Sequence, residues 1–324
     1  MVQAIRIHAA GGPEVMAWET VEVGAPGPGE VRVRHTAVGL NYIDVYHRTG
    51  LYPQPLPFTP GLEAAGVVEA VGPGVTEVKA GDRVGYCSGP IGAYAEARLY
   101  PVDRLVKLPD WLDDRTAAAM LLQGMTAQYL LRRTYPVRRG DTILIQAAAG
   151  GVGLIVCQWA SALGATVIGT VSSDEKADLA RANGCHHPIV YTREDFVART
   201  RELTGGRGVD VVYDSVGADT FLKSLDCLRR LGMLVSFGQA SGKVPPIDTG
   251  LLAAKGGLFL TRPSLFHYVA TREELLATAE DLFAVVKDGR VKIAVNQTFP
   301  LKDAAEAHRA LEGRKTTGST ILLP

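Results

Sequence analysis

The segment Thr142-Ile-Leu-Ile-Gln-Ala-Ala-Ala-Gly-Gly-Val-Gly153 constrains this chain more than any other. A β-branched apolar run, Ile143 to Ile145, stops at a turn of alanines and glycines. Leu154 to Leu163 then reads as a buried helix, and after Gly164 the run Thr166 to Val171 reads as a second strand. Strand, tight turn, helix and strand in this order make the dinucleotide-binding βαβ unit. Small residues at Ala147, Gly150 and Gly153 let the backbone turn sharply and approach a pyrophosphate. The helix start then offers that anion unpaired N–H groups and a positive dipole end.

The end of the second strand refines the cofactor. NAD-binding units place Asp or Glu about 20 residues beyond the glycines to bind the ribose 2′-OH. Here Ser172 and Ser173 stand at that point, with Lys176 one helical turn on. Hydroxyls and an ammonium suit a 2′-phosphate, which a carboxylate would repel. Asp174 and Glu175 read instead as the acidic first turn of the next helix. The pattern predicts NADPH over NADH.

With 324 residues the chain is long enough for two domains, each with its own core. Lys+Arg and Asp+Glu both number 34, so there is no basic excess to draw nucleic acid or anionic lipid. No apolar run reaches 18 residues, and no secretory signal is evident at the N-terminus, so a cytoplasmic protein is expected. Four cysteines (Cys87, Cys157, Cys185, Cys227) are scattered without a Cys-x-x-Cys pair. Cys185-His186-His187 looks like a metal triplet, but adjacent side chains diverge on a helix or a strand. No metal is expected.

The pattern changes character along the chain. Residues 1–122 are rich in short strands and turn clusters such as Pro26-Gly-Pro-Gly29 and Val71-Gly-Pro-Gly74, which suggests a barrel-like β domain. From there to Pro263 strands and helices alternate. The later strands are Pro188–Tyr191, Val209–Asp214, Met233–Phe237 and Leu258–Thr261, with helices at Ala177–Ala182, Asp195–Leu203 and Thr220–Arg229. Six strands with helical crossovers fit an α/β doubly wound parallel sheet over residues 123–263. A cofactor domain placed mid-chain implies that residues 1–122 and 264–324 combine into one catalytic domain.

This arrangement resembles the medium-chain dehydrogenases/reductases, and within them the zinc-free quinone oxidoreductases of the zeta-crystallin kind. The resemblance covers essentially the whole length. It rests on Gly39-Leu-Asn-Tyr-Ile-Asp44, Gly50-Leu-Tyr-Pro53, Gly61-Leu-Glu-Ala-Ala-Gly66, Gly81-Asp-Arg-Val84, Ala147-Ala-Ala-Gly-Gly-Val-Gly153, Val212-Tyr-Asp-Ser-Val-Gly217 and Thr261-Arg-Pro-Ser264. It implies a GroES-like β-rich catalytic domain beside a Rossmann cofactor domain. In the zinc-dependent branch a cysteine ligand sits where Asn41 is, and Gly-His-Glu occupies Gly61-Leu62-Glu63. Both positions depart toward the zinc-free branch, and the four-cysteine lobe is missing.

The departure has a chemical meaning. Zinc makes alcohol oxidation possible by lowering the pKa of a bound oxygen, for water from about 15.7 to about 7. This chain lacks the ligands, and it has no Tyr-x-x-x-Lys. A quinone, or an alkene conjugated to a carbonyl, needs less: a hydride placed against it and hydrogen-bond support for the oxygen that becomes negative. Asn41, Tyr42, Asp44, Tyr46 and Tyr52 cluster on a helical turn and a Pro-rich loop that could supply it. From the residues alone, these tyrosines read equally as pocket groups or as core aromatics. The resemblance implies pocket roles, with Asn41, Tyr46 and Tyr52 catalytic. Asp44 is a poor acid at an unperturbed pKa near 4.

For the cofactor, the resemblance implies Gly150, Gly151 and Val152 at the pyrophosphate, and Ser172, Ser173, Lys176 and Tyr191 around the 2′-phosphate and ribose. Ser215, Phe237, Gly238 and Ser241 would line the nicotinamide side, and Ser264, Leu265 and Arg314 would close over it. Asn41, Tyr42 and Tyr129 would complete the site. Enone or enoyl-thioester reduction is an alternative. Relatives recruited as lens structural proteins or RNA binders offer a reading of another class, which neutral charge disfavours. The apolar last strand, Leu258 to Thr261, predicts a homodimer through sheet edges.

Overall fold

The computed structural model describes residues 1–324, which divide into two compact units. One comprises residues 1–125, 269–279 and 293–324; the other comprises 126–268 and 280–292.

In the second unit, six parallel strands form one sheet in the order His187–Val190, Thr166–Val171, Thr142–Ile145, Val209–Asp214, Leu228–Ser236 and Phe259–Thr261. Strand order reverses between Thr142–Ile145 and Val209–Asp214, the switch point of a doubly wound Rossmann sheet. Strands covered on both faces need continuous apolar sequence, and all six residues of Val209–Asp214 are buried. The helix after the glycine turn, Gly151–Ala162, buries Leu154, Ile155, Val156, Cys157, Trp159 and Ala160. A Cβ on Gly153 would lie 2.3 Å from the Ala147 carbonyl oxygen, so only glycine lets this helix seat against the turn.

One element differs from the sequence expectation. The helix expected over Thr220–Arg229 ends at Asp226, and the fifth strand starts at Leu228 rather than at Met233. Leu228 already pairs with Val209, after which the register slips and Met233 pairs with Val211. Leu231, at φ 59°, absorbs the extra residues in a left-handed turn. Helical periodicity could not show this, because the slip is set by pairing with a distant strand.

In the first unit, the long strand Glu30–Leu40 is the hub. It pairs antiparallel with Glu63–Val71 and Ala97–Pro101, and with the C-terminal strand Ser319–Leu323. The last pairing, Leu322 opposite Val38, joins the chain's end to its N-terminal β structure. Val31, Val33, Val38, Leu40, Val68, Val84 and Leu322 make the core. No helix is long and apolar enough to cross a membrane.

Candidate active site

In the Rossmann unit the site is built at the carboxyl ends of the strands. Gly150 is extended, no side chain caps Gly151–Ala162, and the first intrahelical bond runs from Leu154 N–H to Gly150 C=O at 2.9 Å. Gly150 N–H is taken by the Ala147 carbonyl at 3.0 Å, while Gly151 and Val152 lie in the first turn, whose N–H groups have no intrahelical partner, a fit for a pyrophosphate. The turn before it holds Ala147 at φ 58°. Thr170 Oγ1 accepts from Ala147 N–H at 3.3 Å, and its hydroxyl donates to Gln146 Oε1 at 2.6 Å. Gln146 Nε2 donates to Ser224 Oγ at 3.1 Å, and Ser224 donates to Asp214 at 2.8 Å. Buried Asp214 also accepts from the backbone of Val216 and Gly217 and from Thr220 Oγ1.

That carboxylate shapes the next loops. Phe237 N–H donates to the Asp214 carbonyl at 2.8 Å, and a Cβ on Gly238 would lie 2.5 Å from Ser215 O. Ser241 Oγ donates to Val216 O at 2.8 Å and accepts from Asp219 N–H at 3.0 Å. Ser215, Phe237, Gly238 and Ser241 are thus brought together, although the Ser241 hydroxyl works in holding the loop. Tyr129 is buried and stacks on Tyr268 at 4.4 Å between centroids. Ser264 and Leu265 open the short helix that carries Tyr268.

At the end of the strand Thr166–Val171, Ser173 caps the helix Asp174–Ala182 by accepting from Lys176 N–H at 3.4 Å. Tyr191 is held beside Ser172 through its N–H to Val171 O at 3.1 Å, and Thr192 Oγ1 donates to Ser172 O at 3.2 Å. Asp174 is gripped by both terminal nitrogens of Arg193, at 2.5 and 2.6 Å. The guanidinium holds that carboxyl below its ordinary range. Arg193 did not stand out in the sequence, because nothing in its spacing marks an ion pair between a turn and the first residue of a helix.

In the first unit, Asn41 heads the helix Tyr42–Arg48 and is buried. Its Nδ2 donates to Glu63 Oε2 at 2.7 Å, and its Oδ1 accepts from Gln123 Nε2 at 3.2 Å. Glu63 also accepts from Leu122 N–H at 2.7 Å. Tyr42, Tyr46 and Tyr52 form one aromatic cluster, with centroids 5.5 Å apart for the first pair and 5.1 Å, edge to face, for the second. Burial raises the Tyr42 phenol above its usual range, as does the charge of Glu312, while Arg314 pulls it down. Arg314, at φ 57°, stands in the turn after the helix Ala304–Glu312. Leu62 is buried in the core, and no group of three or more His, Cys, Asp or Glu is gathered anywhere.

The fold corrects the reasoning about Asp44. Fully buried, it accepts from Asn41 N–H at 2.9 Å and from the Tyr94 hydroxyl at 3.0 Å, and desolvation raises it to about 7 despite those donors. It is therefore no ordinary carboxylate. Glu63 is raised to about 8, chiefly by desolvation, with its donors from Asn41 and Leu122 opposing.

Two domain models match the chain: an alcohol dehydrogenase GroES-like domain over residues 27–110, and a zinc-binding dehydrogenase domain over residues 151–283. A quinone oxidoreductase of Pseudomonas aeruginosa is 54% identical over 100% of both chains. A 2-haloacrylate reductase of a Burkholderia species is 53% identical over 100% of this chain and 99% of its own. The solved Escherichia coli quinone oxidoreductase complexed with NADPH is 48% identical, with a TM-score of 0.98 over 99% of this chain and 100% of that one.

The buried acids give stability an uncommon pH dependence. Glu63 moves from 4.5 unfolded to about 8 folded, and Asp44 from 3.8 to about 7. The folded state then binds more protons, so this contribution is lost as pH rises through those values. His35 and His47, lowered to about 4, and His308, lowered to about 3, act oppositely and only below their ordinary 6.5. Thermal denaturation followed by circular dichroism should show Tm falling from pH 6.5 to 8.5, and Glu63→Gln should remove part of the fall. A flat or rising wild-type profile would refute this assignment.

Proposed function

The chain belongs to the quinone oxidoreductase family of the medium-chain dehydrogenases/reductases, and from that premise we propose that it reduces quinones with NADPH by hydride transfer, without a metal. The observation that carries the cofactor half is the uncapped backbone at Gly150, Gly151 and Val152, seated by Gly153. The NADPH-complexed structure of the Escherichia coli relative supports the same choice. When bound, NADPH supplies a hydride from nicotinamide C4. Ser172, Lys176 and Tyr191 hold the 2′-phosphate, and the loops at Ser215 and Gly238 give the rest of the cofactor a rigid wall.

On the acceptor, Tyr46 and Tyr52 hold a flat ring by stacking and donate to its oxygen, and Asn41 orients it through its amide. No zinc is required, since the acceptor is already electrophilic and the positions of Asn41 and Leu62 offer no soft ligand. The 2-haloacrylate reductase relative favours a second acceptor class, an alkene conjugated to a carboxyl group.

With 4-deuterated NADPH, an enone that the protein reduces should acquire deuterium at carbon. Tyr46→Phe or Tyr52→Phe should lower turnover with a quinone by about ten- to a hundred-fold. Absent label would refute direct transfer, and full activity in both variants would hand proton delivery to water.

Lys176→Ala should remove a charge-assisted contact to the 2′-phosphate and weaken NADPH by about 1.5–3 kcal/mol, with NADH nearly unchanged. Fluorescence titration with both cofactors measures this, and equal losses would make Lys176 a residue of the fold.

We also propose a homodimer through the strand Phe259–Thr261, which ends the parallel sheet with Phe259 55% exposed. Light scattering at micromolar concentration should give twice the chain mass, and a monomer would contradict the pairing.

A further inference from the structure

Behind Asn41 runs a chain of buried polar groups. Ser319 Oγ lies 2.8 Å from Ala119 O and 2.7 Å from Gln123 Oε1. Gln123 Nε2 lies 3.2 Å from Asn41 Oδ1, Asn41 Nδ2 lies 2.7 Å from Glu63 Oε2, and Glu63 Oε1 lies 2.7 Å from Leu122 N. Asn41, Glu63, Gln123 and Ser319 are all buried, so their partners come chiefly from the protein.

These five contacts need five hydrogens. With Glu63 ionised there are four to share, one each from Ser319, Gln123, Asn41 and Leu122. The Ser319 hydroxyl then faces two acceptors with one proton. A proton on Glu63 is the fifth. The carboxyl then donates to the Asn41 oxygen, Asn41 donates to Gln123, Gln123 to Ser319, and Ser319 to Ala119 O. Both amides turn over in place, which leaves every heavy atom where it stands, because amide oxygen and nitrogen are nearly the same size.

We propose that Glu63 is a positioning residue whose proton sets the direction of this chain, and with it which edge of the Asn41 carboxamide offers a spare N–H. With Glu63 protonated the spare donor lies on the Gln123 edge; with Glu63 ionised it lies on the Glu63 edge. The proposal deepens the reading of Asn41 given above and rests on it for its consequence in catalysis. The titratable groups facing Glu63 are Asp44, Cys87 and Tyr94, all buried. Asp44 is the capping-box partner of Asn41: its carboxyl accepts from the Asn41 backbone N–H, and its own backbone N–H faces the Asn41 side chain, a contact that favours the orientation with Glu63 ionised and that the proton on Glu63 has to outweigh.

The test uses the full chain without cofactor or acceptor, so its outcome does not depend on what the protein reduces. With glutamate side-chain carboxyls labelled in ¹³C and asparagine side-chain amides in ¹⁵N, Glu63 should titrate with a midpoint near pH 8, and the Asn41 amide signals should move with that same midpoint. Glu63→Gln carries the fifth hydrogen permanently, so its Asn41 signals should match the wild-type low-pH form at every pH. Under saturating NADPH, the wild-type kcat/KM for a quinone should bend at that midpoint and the Glu63→Gln profile should not. Asn41 signals that stay still while Glu63 titrates would overturn the proposal. So would a Glu63→Gln spectrum that matches the high-pH form. If that variant does not fold, the wild-type titration decides alone.

Discussion

A carboxylate buried at the end of a strand must collect its donors from the protein, and that requirement organises both units. Asp214 gathers two backbone N–H groups and two hydroxyls at the carboxyl end of its strand. Through Ser224, Gln146 and Thr170 it reaches the turn at Ala147, whose left-handed backbone needs an external hold. Glu63 does the equivalent in the other unit with Leu122 and Asn41. Loops that would otherwise be free to choose their path are fixed because a buried carboxyl group, ionised or protonated, is costly to leave without partners.

What was legible in the sequence follows from the range of each signal. The βαβ unit and the parallel sheet show in apolar periodicity and in the small residues at Ala147, Gly150 and Gly153, whereas the strand order that makes the switch point is set by pairing between distant segments. The register slip at Leu228 to Met233 does not show, because pairing with Val209 and Val211 sets it from about 20 residues away in the chain. Side-chain partners across such distances are invisible in the same way. Gln123 and Ser319 lie 196 residues apart and carry no motif. Glu63 did leave a trace, an acid inside an otherwise small and apolar run, and a lone buried acid always asks who satisfies it.

The turn after the strand Thr166–Val171 shows why residue type alone can mislead. Asp174 follows Ser173 directly, and a carboxylate there argues against a 2′-phosphate. The fold answers by clamping it with Arg193, so the acid is spent on a guanidinium and on the dipole of its own helix. Exposed pairs of this kind add little stability. The effect is on local charge: without Arg193 an uncompensated negative group would stand two residues from Lys176.

A raised acid beside an amide also changes what that amide can be asked to do. An asparagine held only by backbone presents one fixed donor and one fixed acceptor. Asn41 is held at both edges by groups that can themselves reverse, Gln123 on one side and Glu63 on the other. Burial is what makes the reversal accessible near neutral pH, since an exposed glutamate would stay ionised there. The position that carries a cysteine ligand in the zinc-dependent branch thus holds, in this chain, an amide whose polarity is governed by a proton one residue behind it.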